Sequence, residues 1–400
     1  MSKIYDLIII GGGPAGLMAA NVAQQRNLRY LIIDSNNTLG KKLLITGGSR
    51  CNVTNRYDVR EFIDKLLIKN KRFLYSTLKN FGTNEVIAFL KSKGVELVLE
   101  NDIKYFPKSS KSRDILNAMT SEIPKDCIKL DNKVVSITKN ETFTIRCKNS
   151  VYTSKNVLIA TGSKSYPQTG STGDGALFAE LLGHNVIPFY PAETNVHSGF
   201  ISSQKEFLQG ISISNSTLKI RGEKQKYHGD FIFTHFGLGG PVIQTASEFI
   251  YHSMKTGNNV IELSLTQKTE EELKMLFSTS KNLMIKKLLE SILIKRLARF
   301  VMKYLKIENI KIQELNKKQI IIIINTLKHF AIKIDRVEEK ERSYVNGGGV
   351  TTDEINPKTM ESKLIKGLYF AGEVTDIHGP IGGFNITIAM SMGYTAIKSI

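Results

Sequence analysis

Residues Asp6–Asp34 read DLIIIGGGPAGLMAANVAQQRNLRYLIID. The apolar run Leu7–Ile10 is long enough for a buried parallel strand. It opens into Gly11-Gly12-Gly13-Pro14-Ala15-Gly16, which fits G-x-G-x-x-G. A helix of small residues is predicted from Pro14, with Ala15, Ala19, Ala20 and Ala23 along it. A second apolar strand, Tyr30–Ile33, ends at Asp34. Each part has a physical task. Gly11 permits the tight turn, Gly13 leaves room for a pyrophosphate beside the backbone, and Gly16 lets the helix lie close on the sheet. The helix start offers unpaired N–H groups and a positive dipole end to phosphate. Asp34 is placed to accept hydrogen bonds from a ribose diol. A plain glycine-rich turn explains neither the glycine spacing nor the terminal acid, so dinucleotide binding is the preferred reading.

Four hundred residues suggest two or three domains. No apolar run approaches the roughly 18 residues of a membrane-spanning helix. The first apolar run is the strand above, which is not a signal-peptide layout. A soluble, cytoplasmic protein is expected. Cys51, Cys127 and Cys147 form no C-x-x-C pair, and Cys and His do not cluster. A disulfide framework, a dithiol centre and a metal site are therefore not expected. The net charge is +18, from 55 basic and 37 acidic residues. Such a surface suits polyanions, but the lysines are scattered and form no basic arm. Solvated faces are the preferred explanation.

Ser35–Thr54 is rich in Gly, Ser, Thr and Asn and reads as a long ordered loop. Lys41, Lys42, Arg50 and Gly47-Gly48 suit a loop that wraps a ligand. Cys51 beside Arg50 is either a reactive thiol or, preferably, a packing or cofactor contact. Helices are predicted over 58–93 and 111–123, and short strands over 95–99 and 103–106. Lys133–Thr138, Thr142–Cys147 and Val151–Tyr152 alternate like a meander. Asn156–Gly162 then reads as a separate strand, followed by a second glycine-rich loop. Asp174 in that loop either caps the next helix or meets a ligand.

From about Pro191 the pattern becomes β-like, with Ile211, Ile213, Leu218 and Ile220 alternating. Residues 269–330 read as helical, the last helix capped by Asn316 and carrying Ile320 to Phe330. Glycine-rich motifs return at Gly347-Gly348-Gly349, at Gly367–Asp376 (GLYFAGEVTD) and at Gly379–Asn385 (GPIGGFN), before a helix rich in Ala and Met. The fold class is therefore α/β: a Rossmann-type domain split by an inserted β-barrel-like domain and a helical domain. The expected bounds are 1–190 and 346–400 for the split domain, 191–268 plus about 331–345 for the β part, and 269–330 for the helical part.

These motifs carry a family resemblance. Gly11–Gly16, Thr46–Asn55 (TGGSRCNVTN), Ala160–Gly175, Phe233–Pro241 (FTHFGLGGP), Gly347–Val350 and Gly367–Asn385 occur in one order across nearly the whole chain. The chain resembles NAD(P)/FAD-dependent oxidoreductases of the bile-acid-inducible and aminoacetone-oxidase type, which share the glutathione-reductase-like FAD fold. It departs at Gly162-Ser163, where the family usually has Gly-Gly. The resemblance implies non-covalent FAD. The residues assigned to it are Gly11, Gly13, Pro14, Ala15, Gly16, Asp34 and Ser35; Lys42, Arg50, Cys51 and Asn52; Val135; and Ala160, Thr161 and Gly162. The C-terminal motifs add Gly372, Glu373, Asp376, Gly383, Phe384, Asn385 and Ile386.

Asp376 is read as binding ribityl hydroxyls, with a simple turn cap as the alternative. The N–H groups of Gly383 to Ile386 are read as facing the flavin's pyrimidine oxygens. Only one G-x-G-x-x-G is visible, so NAD(P)H is expected as a transient reductant without its own domain. His235, His378 and Tyr166 are acid–base candidates. A core or interface role is preferred for His235, and a supporting role for His378. The catalytic group stays unassigned. The leading expectation is an FAD-dependent oxidoreductase acting on a small organic molecule, with neither nucleic acid nor membrane as partner. A flavin-dependent RNA-modifying enzyme and a non-catalytic flavin sensor are the alternatives.

Overall fold

A computed structural model describes residues 4–400; the first three residues of the expected N-terminal domain lie outside the described residues. The chain forms two compact units. One runs to Tyr190 and resumes at Lys340, and the other is Pro191–Glu339.

The first unit is built on the opening strand β1 (Ile4–Ile10), helix α1 (Pro14–Gln25) and strand β2 (Tyr30–Ile33). β1 pairs in parallel with β2, Leu7 opposite Tyr30 and Ile10 opposite Ile33. Leu7, Ile8 and Ile9 are wholly buried, because the sheet is covered on both faces. Gly16 brings α1 down onto this sheet: a Cβ there would lie 1.9 Å from the Gly11 carbonyl oxygen. The C-terminal helix, Phe384–Lys398, packs on α1 at Gly393, where a Cβ would lie 2.1 Å from the Ala15 oxygen.

The meander's third strand and the strand expected at 156–162 are one element, Val151–Ile159. Its first half pairs antiparallel with Phe143–Cys147, and it runs parallel to β1 along its length. Its last residues also pair in parallel with Leu368–Phe370, so the C-terminal segment completes the sheet. The strand is partly exposed at its start and fully buried from Val157, and this change of pattern looks like a break in the sequence. Residues 35–54 are not loop throughout. Lys41–Ile45 forms a short helix after Gly40, which is left-handed at φ 64°.

In the second unit seven strands form an antiparallel sheet, with Ser212–Ile220 between Lys226–Phe233 and Val260–Leu263. Helices Glu270–Thr279, Ile285–Ile292, Lys295–Leu305 and Lys317–Lys328 share one hydrophobic core with that sheet. Asn316 caps the last helix by accepting the Gln319 N–H at 2.9 Å. Phe330 does not extend that helix. It opens the strand Phe330–Lys333 and meets Phe300 edge-on at 5.8 Å. No helix among the described residues is long and apolar enough to cross a membrane.

Candidate cofactor site

The turn after β1 is held open by its own geometry. Gly11 has φ 105°, and a Cβ there would sit 2.4 Å from the Ala160 oxygen. Gly13 is extended, and a Cβ on it would meet nothing within 4 Å. The space in front of Gly13 is thus free, and the first N–H groups of α1, those of Ala15 and Gly16, face the end where helices leave donors unpaired. Pro14 at the helix start has no N–H to leave unpaired.

Asp34 does more than wait for a ribose. Its Oδ2 accepts the Gly12 N–H at 2.7 Å, and its Oδ1 accepts the Asn36 N–H at 2.8 Å and the Asn36 amide at 3.0 Å. A carboxylate offers about four acceptor positions, so room for a further donor remains. Ser35 beside it is exposed. Val135 is half-exposed at a bulge in its strand; the hairpin reaches Asp34 through Asn132, whose N–H donates to the Asp34 oxygen at 3.0 Å.

Lys42 and Glu373, assigned separately to the cofactor, meet each other: Nζ lies 2.7 Å from Oε2. Ser163 donates to the same oxygen at 3.0 Å. The serine that departs from the family's Gly-Gly therefore has a definite partner, which the sequence did not signal. Burial pushes the Glu373 carboxyl up, but the Lys42 ammonium, the Ser163 hydroxyl and His378 outweigh it and hold the carboxyl below its ordinary value. Arg50 pairs with Glu100 and lies 4.4 Å over the Phe106 ring, so a protein carboxylate already engages its guanidinium.

Cys51 is fully buried at φ 62°, and burial pushes its thiol up to about 12. That removes the reactive-thiol reading, since little thiolate forms at neutral pH. With its amide oriented to satisfy both ends, Asn52 donates to the Thr54 and Tyr105 oxygens and accepts the Gly383 N–H at 3.3 Å.

The C-terminal loop is clamped to this segment. Thr54 and Thr387 share a hydroxyl bond of 2.8 Å, and Asn55 donates to the Gly382 oxygen at 3.3 Å. A Cβ on Gly383 would lie 2.4 Å from the Thr54 backbone. With that amide orientation the Gly383 N–H is directed to Asn52. The N–H groups of Phe384, Asn385 and Ile386 open the helix. The Phe384 ring packs tilted against Phe62, with centroids 4.5 Å apart. The Asn385 side chain closes the loop on Gly379, accepting its N–H at 2.8 Å and donating to its oxygen at 2.7 Å.

Gly372 lies at φ 78°, where a Cβ would be 3.3 Å from the Ala15 Cβ. Asp376 accepts the Gly348 N–H at 3.2 Å, and Asn70 donates to its backbone oxygen at 2.6 Å. It therefore holds the Gly347–Gly349 stretch, which lies inside the strand Val345–Val350; Asn70 had no sequence signal. The Thr161 hydroxyl oxygen is enclosed, without a partner among the described residues, beside Gly175, whose Cβ would sit 2.0 Å away. Ala160 lies buried at the strand end, and Gly162 follows at φ 74°. Asp174 does not cap its helix; it is the first helical residue and pairs with Lys133 at 2.8 Å.

Of the acid–base candidates, His378 is buried in the C-terminal loop, 6.4 Å from the Tyr190 ring. Tyr166 sits at φ 54°, its N–H donated to the Glu341 oxygen at 3.0 Å and its phenol pushed up by burial and Tyr344. His235 is exposed, edge-on to Phe236, and belongs to the second unit, so it is not a core histidine. No cluster of His, Cys, Asp or Glu among the described residues suits a metal.

Open space at Gly13 and the α1 start fit a dinucleotide diphosphate. Together with the parallel strands of the sheet, they define a Rossmann-type FAD-binding domain. The model of the HI0933-like protein Rossmann domain matches residues 5–399, and the chain belongs to that family. Among curated relatives, "Ribosomal RNA dihydrouridine synthase" of Escherichia coli (strain K12) is 28% identical over 402 residues, 99% of this chain and 98% of that one. The "3-dehydro-bile acid delta(4,6)-reductase" of Clostridium scindens is 26% identical over 404 residues, 97% of each. The solved 3-ketosteroid-delta4-(5alpha)-dehydrogenase of Rhodococcus jostii RHA1 has the same fold, with TM-score 0.53 and 13% identity, covering 100% of this chain and 97% of that one. The relatives it matches end to end are named as enzymes, which favours catalysis over the flavin-sensor alternative.

Proposed function

We propose that this enzyme reduces a carbon–carbon double bond conjugated with a carbonyl, and that the bond is C5=C6 of a uridine in ribosomal RNA. The observation that carries the reading is collinearity, end to end, with relatives named for dihydrouridine formation in ribosomal RNA. The bile-acid reductase supports the same bond chemistry on a different skeleton. A chain of net charge +18 suits a polyanionic substrate better than a neutral one. This revises the expectation of a small-molecule substrate.

In this reading Gly13 and the α1 start would hold the FAD diphosphate. Asp34 keeps an acceptor for the ribose. The Lys42–Glu373–Ser163 cluster joins three segments and would fix the loops beside a bound flavin. FAD held there would supply hydride chemistry to one alkene carbon, with a proton completing the other and NAD(P)H as the reductant. A cytoplasmic setting follows from a ribosomal substrate.

The test is incubation of purified holoenzyme with NADPH or NADH and unmodified ribosomal RNA transcripts, followed by nucleoside mass spectrometry. Dihydrouridine, two mass units above uridine, is the expected product. No dihydrouridine, together with reoxidation of the reduced flavin by a 3-oxo-Δ4,6 steroid, would replace RNA with a small enone as substrate.

A further inference from the structure

The charge is not spread evenly. Residues 281–318 hold eleven Lys or Arg against three Glu, a net +8 of the chain's +18. The fold puts these cations on the outside of the second unit's helices. Lys295–Leu305 buries Leu297, Ala298, Phe300 and Val301, and leaves Lys295, Arg296, Arg299 and Lys303 exposed. Lys287 is exposed on the preceding helix, Ile285–Ile292, whose Leu288 and Leu289 enter the same core.

Folding does not account for this pattern. Lys295, Arg299 and Lys303 follow one another at i, i+4 spacing, where like charges repel. Lys295 and Arg296 occupy the first turn, the positive end of the helix dipole, with no acid there. The ion pairs of this unit join His197, Arg221, Lys274, His329 and Arg336 to acids, and none among the described residues involves residues 281–318. Helix Glu270–Thr279 shows the balanced alternative: acids in its first turn and Lys274 facing Glu270 at i, i+4. Among the described residues, two cations of the basic helix have partners. Arg296 donates to the Gln209 carbonyl, and Lys303 lies 4.5 Å over the Phe207 ring.

We propose that this helical face, centred on Lys287, Lys295 and Arg299, is the docking surface for the phosphate backbone of ribosomal RNA. The proposal rests on the RNA reading above for the identity of the polyanion. Rigid helices present the cations, so contact with phosphates releases counterions without first ordering a loop. The surface reads no sequence; it supplies affinity and orientation.

The test compares wild-type holoenzyme with the K287E/K295E/R299E variant. Glutamate at 295 suits the dipole of that helix, so the variant should fold, with FAD content and melting temperature unchanged. A control, K79E/K91E/K148E, removes the same charge from exposed positions of the first unit. Binding to unmodified ribosomal RNA transcripts is measured across salt, beside phosphatidylglycerol vesicles. The expected result is an affinity loss of about tenfold or more in the first variant only, with a salt slope lower by about two to three. Dihydrouridine formation by the variant should fall through KM while kcat is kept. Equal RNA binding by variant and wild type overturns the surface, as does wild-type binding to vesicles but not to RNA. Loss of RNA binding in the variant, where wild type binds RNA but forms no dihydrouridine, supports the surface and overturns only the proposed reaction.

Discussion

The Lys42 ammonium lies 2.7 Å from the Glu373 carboxylate, across 331 residues of chain. With Ser163 on the same oxygen, the pair ties the loop after β2, the end of the central strand and the C-terminal motif into one charged cluster. Their side chains are 22% and 20% exposed, so solvent screens the pair only partly. Three segments assigned to a cofactor one at a time are therefore fastened to one another first.

The pair predicts a pH-dependent stability. The Glu373 carboxyl is held below its ordinary value in the fold. Its contribution is therefore full above the unfolded-state pKa, and is lost as pH falls through the lower folded value. Glu373→Gln should cost about 1–3 kcal/mol at pH 7, where it leaves Lys42 without its charged partner. The difference should shrink at pH values below about 4. Urea midpoints at both pH values measure it, and an equal loss at both would rule out the ionised carboxylate as the cause.

Gly13→Val should separate cofactor binding from folding. The residue is extended and a Cβ there enters open space, so the apoprotein should melt near the wild-type temperature yet be purified colourless. Gly16→Val should instead lower stability itself, because its Cβ would lie 1.9 Å from the Gly11 oxygen. Retained flavin absorbance in the Gly13 variant would dismiss the phosphate role of that glycine.

Cys51 should be inert in the folded protein. With its thiol raised to about 12 and no exposed surface, it should resist maleimide at pH 8 and be labelled only after denaturation, as read by peptide mapping. Rapid labelling of Cys51 in the native state would show that the segment opens.

Gly383→Ala should be costly although the change is small. Gly383 is left-handed at φ 82°, and a Cβ would lie 2.4 Å from the Thr54 backbone. A loss of about 1–3 kcal/mol is expected from overpacking, together with weaker FAD binding. Asp376→Ala should weaken FAD by about 1–3 kcal/mol, because the Gly348 N–H loses its acceptor. Titration of the apoproteins with FAD measures both. Full affinity in both variants would make the C-terminal loop purely structural.

The strand–turn–helix–strand unit was legible because its signals are local. Leu7–Ile10, the three glycines and Asp34 act within one βαβ span, and β1, α1 and β2 occupy the positions that periodicity marks. The cap at Asn316 was legible for the same reason, since its partner is three residues away. The continuous strand Val151–Ile159 was not, because its burial changes midway as its neighbours change.

By itself the sequence determined the α/β class, the glycine-rich turn after β1 and the return of the chain to the first sheet near its C-terminus. Each follows from hydrophobic period and glycine placement over a few residues. Only the tertiary structure decided which charges are spent on the protein itself. Lys42 goes to Glu373, Arg50 to Glu100 and Asp174 to Lys133, while Lys295 and Arg299 form no ion pair among the described residues. A charge's partner is set by proximity in space, and these partners lie from 41 to 331 positions away along the chain.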